Sequence, residues 1–301
     1  MKNKLLIVGC GDVASRAAGP LGKHYQLFGL CRKAENFNHL RALGIKPIAG
    51  DLDQPASLDK IAGLAAHTVL HLAPPPGHGE CDTRTVHLLS ALSRHSSKIQ
   101  MGILPQRLIY ISTSGVYGDC DGRWVSESHP VNPKNARALR RLDAERRIRS
   151  WGIRNQVPVS ILRVPGIYAY NRLPLGRLQQ RTPALLPTED SYTNHIHIDD
   201  LVRIIVAALH FGRAGRIYHA SDDSGLKMGE YFDLVADYFA LPRPERITRQ
   251  EAQKVISPGL LSFMFESRRL SNSRIKRELR VRLRYPTVAD YLAEIREIMV
   301  K

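Results

Sequence analysis

Cysteine is scarce in this chain of 301 residues, and Cys10, Cys31, Cys81 and Cys120 stand 21, 50 and 39 residues apart. No Cys-x-x-Cys pair occurs, which excludes the usual zinc and dithiol centres, and four separated thiols fit a reducing compartment. Long apolar runs are missing as well. The longest, such as Ile204 to Leu209, fall far short of the roughly 20 residues of a membrane span. No signal-peptide pattern opens the chain, so a soluble, cytoplasmic protein without a membrane partner is expected. Low-complexity tracts and internal repeats are absent, and 43% hydrophobic with 24% charged residues excludes disorder as the main state.

What the chain has in excess is positive charge. Lys and Arg number 44 against 28 Asp and Glu, a net +16 that favours anionic ligands. From Arg243 to Arg284 there are 12 basic and 4 acidic residues. That run has no Phe/Tyr stacking cluster, so a solvated arginine face is expected and nucleic acid is not the expected partner.

The first half alternates short β-branched runs with helical stretches, the pattern of βαβ units. Strands are expected at Leu5 to Val8, Gln26 to Cys31, Lys46 to Ala49, Thr68 to Leu72, Leu108 to Ser112 and Val159 to Arg163. Asn36 can cap a helix that Gly44 ends, and Asp82 to Ser96 carries Val86, Leu89 and Leu92 at helical spacing. Six such strands make an α/β fold with a doubly wound parallel sheet. Beyond Pro165, Pro174, Pro183 and Pro187 break the order. A strand at Thr193 to Ile196, a helix at Asp199 to His210 and a short strand at Arg216 to Ala220 follow. Helices at Met228 to Phe239 and Val288 to Met299 complete the chain. Residues 1–167 with 194–224 are therefore expected to form a dinucleotide-binding domain, and 168–193 with 225–301 a smaller mixed C-terminal substrate or lid domain.

The run Gly9-Cys10-Gly11-Asp12-Val13-Ala14 follows the first strand and opens a helix. Gly9 permits a tight turn, Gly11 lets backbone approach a pyrophosphate, and Ala14 allows close packing where a third glycine often sits. This reads as a Rossmann-type dinucleotide site. The second strand ends Leu30-Cys31-Arg32-Lys33, and Arg32 stands where an acid would bind a ribose hydroxyl. A guanidinium there grips a 2′-phosphate, so NADP is expected, with NAD as the alternative.

Further segments then accumulate in order: Gly50-Asp51-Leu52, His71-Leu72-Ala73, Ser112-Thr113-Ser114-Gly115-Val116-Tyr117-Gly118, Arg163-Val164-Pro165-Gly166-Ile167-Tyr168 and Asn194-His195-Ile196-His197-Ile198-Asp199-Asp200. Together with the glycine loop they resemble the extended short-chain dehydrogenase/reductase superfamily, which includes the NAD-dependent nucleotide-sugar epimerases and dehydratases. The resemblance spans nearly the whole chain. It implies that Asp51 and Leu52 meet the adenine, that Leu72, Ala73 and Pro74 run past the cofactor, and that Pro165, Gly166 and Ile167 lie near the nicotinamide. It also implies that Thr113 hydrogen-bonds the reacting oxygen of a small polar or nucleotide-linked substrate.

One departure is large. The family's Tyr-x-x-x-Lys dyad follows a proline-rich turn, here Pro130-Val131-Asn132-Pro133. Anchoring on Glu145 puts Arg137 at the tyrosine position and Arg141 at the lysine position. Arginine keeps its proton, so neither serves as a general acid or base near neutrality, though both can bind ribose or an anion. The resemblance is thus closest to the atypical branch of the superfamily. Tyr117, four residues past Thr113, is the available substitute donor, against the reading of a packed aromatic. The helix Ala136 to Ser150, which carries six arginines, is a dimer face in the family and makes a homodimer a candidate assembly.

His195-x-His197-x-Asp199 could face one side of a strand, but a structural junction with Asp199 near a helix cap is expected instead. His71, His78, Cys81 and His87 match no zinc spacing, so no metal is expected. Ser112 and Ser114 lack the Gly-x-Ser-x-Gly elbow of a hydrolase. Two functions stay open on the sequence: an oxidoreductase or epimerase, and a non-catalytic NADP sensor or scaffold. An RNA-binding relative is third.

Overall fold

The computed structural model describes residues 2–94 and 104–300, with side chains through 295. Its strands are β1 (Asn3–Val8), β2 (Tyr25–Cys31), β3 (Ile45–Ala49), β4 (Thr68–His71), β5 (Arg107–Thr113), β6 (Trp124–Val125), β7 (Val159–Val164), β8 (Gly166–Tyr168), β9 (Ala184–Leu185), β10 (His195–His197), β11 (Ile217–His219), β12 (Arg246–Ile247) and β13 (Arg269–Leu270). The helices are α1 (Asp12–Gly22), α2 (Phe37–Ala42), α3 (Asp59–Leu64), α4 (Thr83–Ser93), α5 (Ala136–Arg154), α6 (Leu175–Gln179), α7 (Ile198–Phe211), α8 (Met228–Tyr238), α9 (Arg249–Val255), α10 (Pro258–Met264), α11 (Ser273–Glu278) and α12 (Val288–Val300).

Seven strands form the parallel central sheet in the order β3-β2-β1-β4-β5-β7-β11. Leu5 to Val8 are all fully buried, as the continuous apolar run of a strand covered on both faces requires. Chain order reverses between β1 and β4, and at that switch point the carboxyl ends of the strands leave a crevice. The expected short strand at residues 216–220 joins this sheet as its seventh member, β11.

Several local expectations shift. The strand expected at 193–196 forms at His195–His197 and pairs with β8 in its own ladder. Helix α4 begins one residue after Asp82, whose Oδ1 accepts from the Thr85 amide at 3.0 Å, so Asp82 is the cap. Residues 95 and 96 of the expected helix lie outside the described residues. Its apolar face is Thr85, Leu88, Leu89 and Leu92, and Val86 is turned outward, because the 3.6-residue period puts 86 roughly 100° from 85. Asn36 does sit at the N-cap of α2, yet its side chain makes no capping bond, and Gly44 ends the segment at φ +76. Helix α5 runs to Arg154, capped by the Asn135 side chain at 2.9 Å from the Ala138 amide.

Two apolar cores cover the two faces of the sheet. A third gathers Tyr168, Leu178, Leu185, Phe232, Val288 and Leu292 with their neighbours, and its buried members all come from 168–185 and 228–292. The two-residue ladder β9·β12 joins these two segments to each other, and β6·β13 stitches the second of them to earlier chain.

Candidate functional site

The crevice owes its shape to Gly9. Its φ of +98 is open to glycine, and a Cβ there would lie 2.5 Å from the Ala73 amide nitrogen. Only glycine lets the end of β1 pass so close to the end of β4. A cavity of about 250 Å³ opens beside it, bringing together Gly9, Arg32, Asp51, Leu52, Ala73 and Pro74 with Cys10, Lys33, Asn36 and Arg84. Arg84 is an addition the sequence did not signal: it holds Asp53 through two hydrogen bonds of 2.8 and 2.6 Å and donates to the Pro74 carbonyl at 3.2 Å. That clamp draws the Asp53 carboxyl below its ordinary range, and Arg32 adds to the effect. Arg32 itself is exposed and has no hydrogen bond or ion pair among the described residues.

Gly11 sits at the N-cap of α1, and a Cβ built on it meets nothing within 4 Å. Asp12 is held by Arg16 at 3.3 Å and Arg172 at 3.0 Å. Val13 packs on the core with Leu72, and Ala14 is buried within it.

A second cavity, about 350 Å³, collects Thr113, Arg137, Arg141, Pro165 and Gly166. Ile167 is not part of its wall. Thr113 Oγ1 accepts from the Gly115 amide at 3.2 Å, which leaves its O–H free to donate. Arg137 and Arg141 are one turn apart on α5 and share a face. Arg141 donates from Nη1 to the Ile111 carbonyl at 2.8 Å and to the Tyr110 hydroxyl at 3.1 Å. Arg137 lies over the Phe263 ring, 4.2 Å from its centroid. Glu145 on the same helix is buried, taking Arg163 at 3.0 and 2.7 Å and the Ser112 hydroxyl at 2.6 Å.

The remaining wall comes from residues that sequence reasoning missed: Tyr192, Asn194, Met228, Phe263, Glu266 and Arg268. The Asn194 side chain donates to the Arg268 carbonyl at 2.9 Å and accepts from the Leu270 amide at 2.8 Å. With the β6·β13 ladder, this fixes Arg268 in the wall of the cavity that Thr113 also lines.

Tyr117 does not reach the cavity. It is fully buried, and its hydroxyl lies 2.6 Å from His219 Nε2. His219 Nδ1 faces the Ser271 carbonyl at 3.0 Å and therefore carries the ring proton, so Nε2 accepts from Tyr117. Burial pushes the phenol up to about 12. The substitute-donor expectation is thus corrected in favour of the packed aromatic. At the β10–α7 junction the cap is His197, whose Nδ1 accepts from the Asp199 amide at 3.3 Å, while Asp199 falls in the first turn.

Buried titratable groups set a pH dependence. Burial holds His71 and His219 down at about 3 and His195 at about 4, against 6.5 for the ordinary imidazole. It pushes Asp222 up to about 8 from 3.8. Below pH 6.5 the unfolded chain takes up protons that the folded histidines refuse, so stability falls with acid. Above 6.5 the folded chain keeps the Asp222 proton that the unfolded chain has lost, so stability falls toward 8. Each group contributes up to about 1.4 kcal/mol per pH unit. Urea unfolding across pH is expected to peak near 6.5, with Asp222→Asn flattening the alkaline side; a plateau from 6.5 to 8 in the unaltered protein would show Asp222 ionised in the fold.

The profile described as NAD dependent epimerase/dehydratase family matches residues 15–221. Among curated proteins the chain is similar to the dTDP-D-glucose 4,6-dehydratase of Homo sapiens, with 27% identity over 122 residues, 38% of this chain and 35% of that protein. The Bos taurus protein of the same description also matches at 27% over 122 residues, covering 34% of its length. The matches thus span about a third of these relatives. A functionally unknown conserved protein from Silicibacter pomeroyi superposes with a TM-score of 0.78 at 25% identity, covering 99% of both chains. The Bacillus cereus UDP-glucuronic acid 4-epimerase, solved with NAD, gives 0.71 at 19% identity, over 97% of this chain and 99% of that one. The Thermotoga maritima UDP-glucose 4-epimerase, solved with UDP-glucose, gives 0.75 at 14%, over 98% and 99%. The last two identities carry likeness of fold. No helix among the described residues is long and apolar enough to cross a membrane.

Proposed function

Since the chain belongs to the NAD dependent epimerase/dehydratase family, we propose that it is an enzyme moving hydride between a nicotinamide nucleotide, NADP in preference to NAD, and a small polar or nucleotide-linked substrate. Residues 1–167 with 194–224 form the cofactor half in this reading, and 168–193 with 225–301 the substrate half. The third apolar core, drawn wholly from the second set, supports that division. The chain fits the cofactor on a simple test: the space beside Gly11 is open, and the first amides of α1 have no acceptors within the helix. Gly9 to Ala14 would hold the pyrophosphate, Asp51 and Leu52 the adenine, Leu72 to Pro74 the passing ribose, and Arg32 the 2′-phosphate. When bound, the nicotinamide supplies a reversible two-electron hydride donor or acceptor.

One observation carries the reading: Thr113, with an uncommitted O–H, opens into the same cavity as Pro165 and Gly166. Its hydroxyl donates to the oxygen on the reacting carbon. Arg141, fixed through Nη1, leaves its other nitrogens for ribose or substrate oxygens. Neither Arg137 nor Arg141 moves a proton, and that favours a second reading, a protein that binds NADP without turnover.

The test is NADPH consumption across carbonyl compounds together with product analysis of NADP-loaded protein on sugar nucleotides, because an epimerase or dehydratase returns the hydride and consumes no net cofactor. Turnover of one of them supports the enzyme, while tight binding without turnover supports the sensor. For the cofactor, calorimetric titration is expected to give NADPH tighter than NADH by about 10- to 100-fold, the worth of charged hydrogen bonds to the 2′-phosphate. Arg32→Ala is expected to erase the difference; equal affinities before the substitution remove the NADP assignment.

A further inference from the structure

The second cavity contains more positive charge than its own residues neutralise. Three guanidiniums, of Arg137, Arg141 and Arg268, line it against one carboxylate, Glu266. Glu266 is already engaged: one oxygen takes Arg268 Nη1 at 2.9 Å and the other takes the Asn135 amide at 3.3 Å. Arg141 has neutral partners only, a carbonyl and a phenol. Arg137 has no hydrogen bond or ion pair among the described residues, only the face of Phe263. Arg163, deep in the fold, is by contrast paired with Glu145, whereas Arg137 is exposed and Arg141 half-buried at the cavity wall.

Arg268 adds an independent sign. Its residue is 9% exposed, and its Nε is buried without a partner. A donor stranded like that is costly unless something absent from the chain accepts from it. The other face of the same guanidinium is spent on Glu266 and on the Gly118 carbonyl at 2.7 Å. Arg268, Arg137 and Arg141 line one cavity together with Thr113.

Resting on the reading of this cavity as the substrate site, we infer that its substrate carries an oxyanion, a carboxylate or a phosphate, close to the reacting carbon, and that Arg137, Arg141 and Arg268 grip it. An oxyanion supplies several acceptor lone pairs at once and can take donors from the Arg268 guanidinium along with those from the two α5 arginines. Thr113 then takes the neighbouring oxygen, the one on the carbon that exchanges hydride. The dyad positions have in this way changed task, from proton transfer to charge recognition. Burial lowers the Arg137 guanidinium from its ordinary value; Glu266 opposes the shift and the nearby Arg141 and Arg140 add to it, so a bound anion would relieve what Glu266 leaves.

The experiment titrates the NADP-saturated protein at low ionic strength with malonate, with inorganic phosphate and with neutral glycerol, by calorimetry. Malonate or phosphate is expected to bind and glycerol not to. Arg137→Gln and Arg268→Gln are each expected to weaken that binding by about 10- to 100-fold, with Arg137→Lys recovering part of it, while the exposed Arg203→Gln leaves it unchanged. Preference for malonate identifies a carboxylate substrate, and preference for phosphate identifies a phosphate ester. Binding of neither anion, or binding indifferent to Arg137→Gln and Arg268→Gln, overturns the inference. Repeating the titration without cofactor separates the two claims: loss of NADP binding alone removes the proposed function, yet leaves the anion grip standing if malonate or phosphate still binds.

Discussion

Arg163→Met is expected to lower folding stability by about 3–5 kcal/mol, read as a shift in urea unfolding at neutral pH. The Arg163 and Glu145 side chains are 4% and 3% exposed. Removing the guanidinium strands a carboxylate that has no route to water and retains only the Ser112 hydroxyl. Such a charge is far more costly unpaired than the intact pair is beneficial, so Arg163→Met combined with Glu145→Leu is expected to recover most of the loss. A loss under about 1 kcal/mol for the single variant would show that Glu145 finds water or a proton in the fold. The effect reaches the site, since Glu145 shares α5 with Arg137 and Arg141 while Ser112 precedes Thr113. The pair therefore sets the distance between the arginines and the hydroxyl.

The second large effect is kinetic. Thr113→Ala is expected to reduce turnover of any substrate found by about 10²- to 10³-fold, the usual result of losing one oriented donor at a developing oxyanion. NADPH affinity, measured separately, should move little, because Thr113 lines the second cavity and not the first. Thr113→Ser keeps the donor and should keep most of the rate. The hydroxyl also accepts from the Gly115 amide, so a partial loss shared by the alanine and serine variants would report a rearranged turn instead of a missing donor. Full turnover in Thr113→Ala removes the proposed mechanism and directs the search to Tyr192, the phenol in the cavity wall.

The sheet and the crevice beside Gly9 were legible in the sequence because both are local. Leu5 to Val8 announce a doubly covered strand, and Gly9 and Gly11 follow at once. Thr113, Arg137 and Arg141 were legible through motif order. Glu266, Arg268 and Phe263 were not. They approach Thr113 across about 150 residues of chain, through β13, a strand of two residues and too short for any period to register. Tyr117 shows the opposite failure: proximity in sequence to Thr113 suggested the cavity, but the tight turn after β5 sends its ring inward to His219.

The two hydrogen bonds of Asn194, to the Arg268 carbonyl and from the Leu270 amide, limit how this wall can move. With β13 also laddered to β6, the wall bearing Arg268 is riveted to the sheet-bearing half, and a clamshell swing of one half against the other would tear both joints. Traffic is left to α10, whose buried side chain is Met264 and whose Phe263 stands exposed over Arg137. A single short helix breathes on the nanosecond-to-microsecond scale of loops, faster than hinge motion of whole domains. On the proposed function, escape of product from this cavity would be a local event, decoupled from the sheet beside the first cavity.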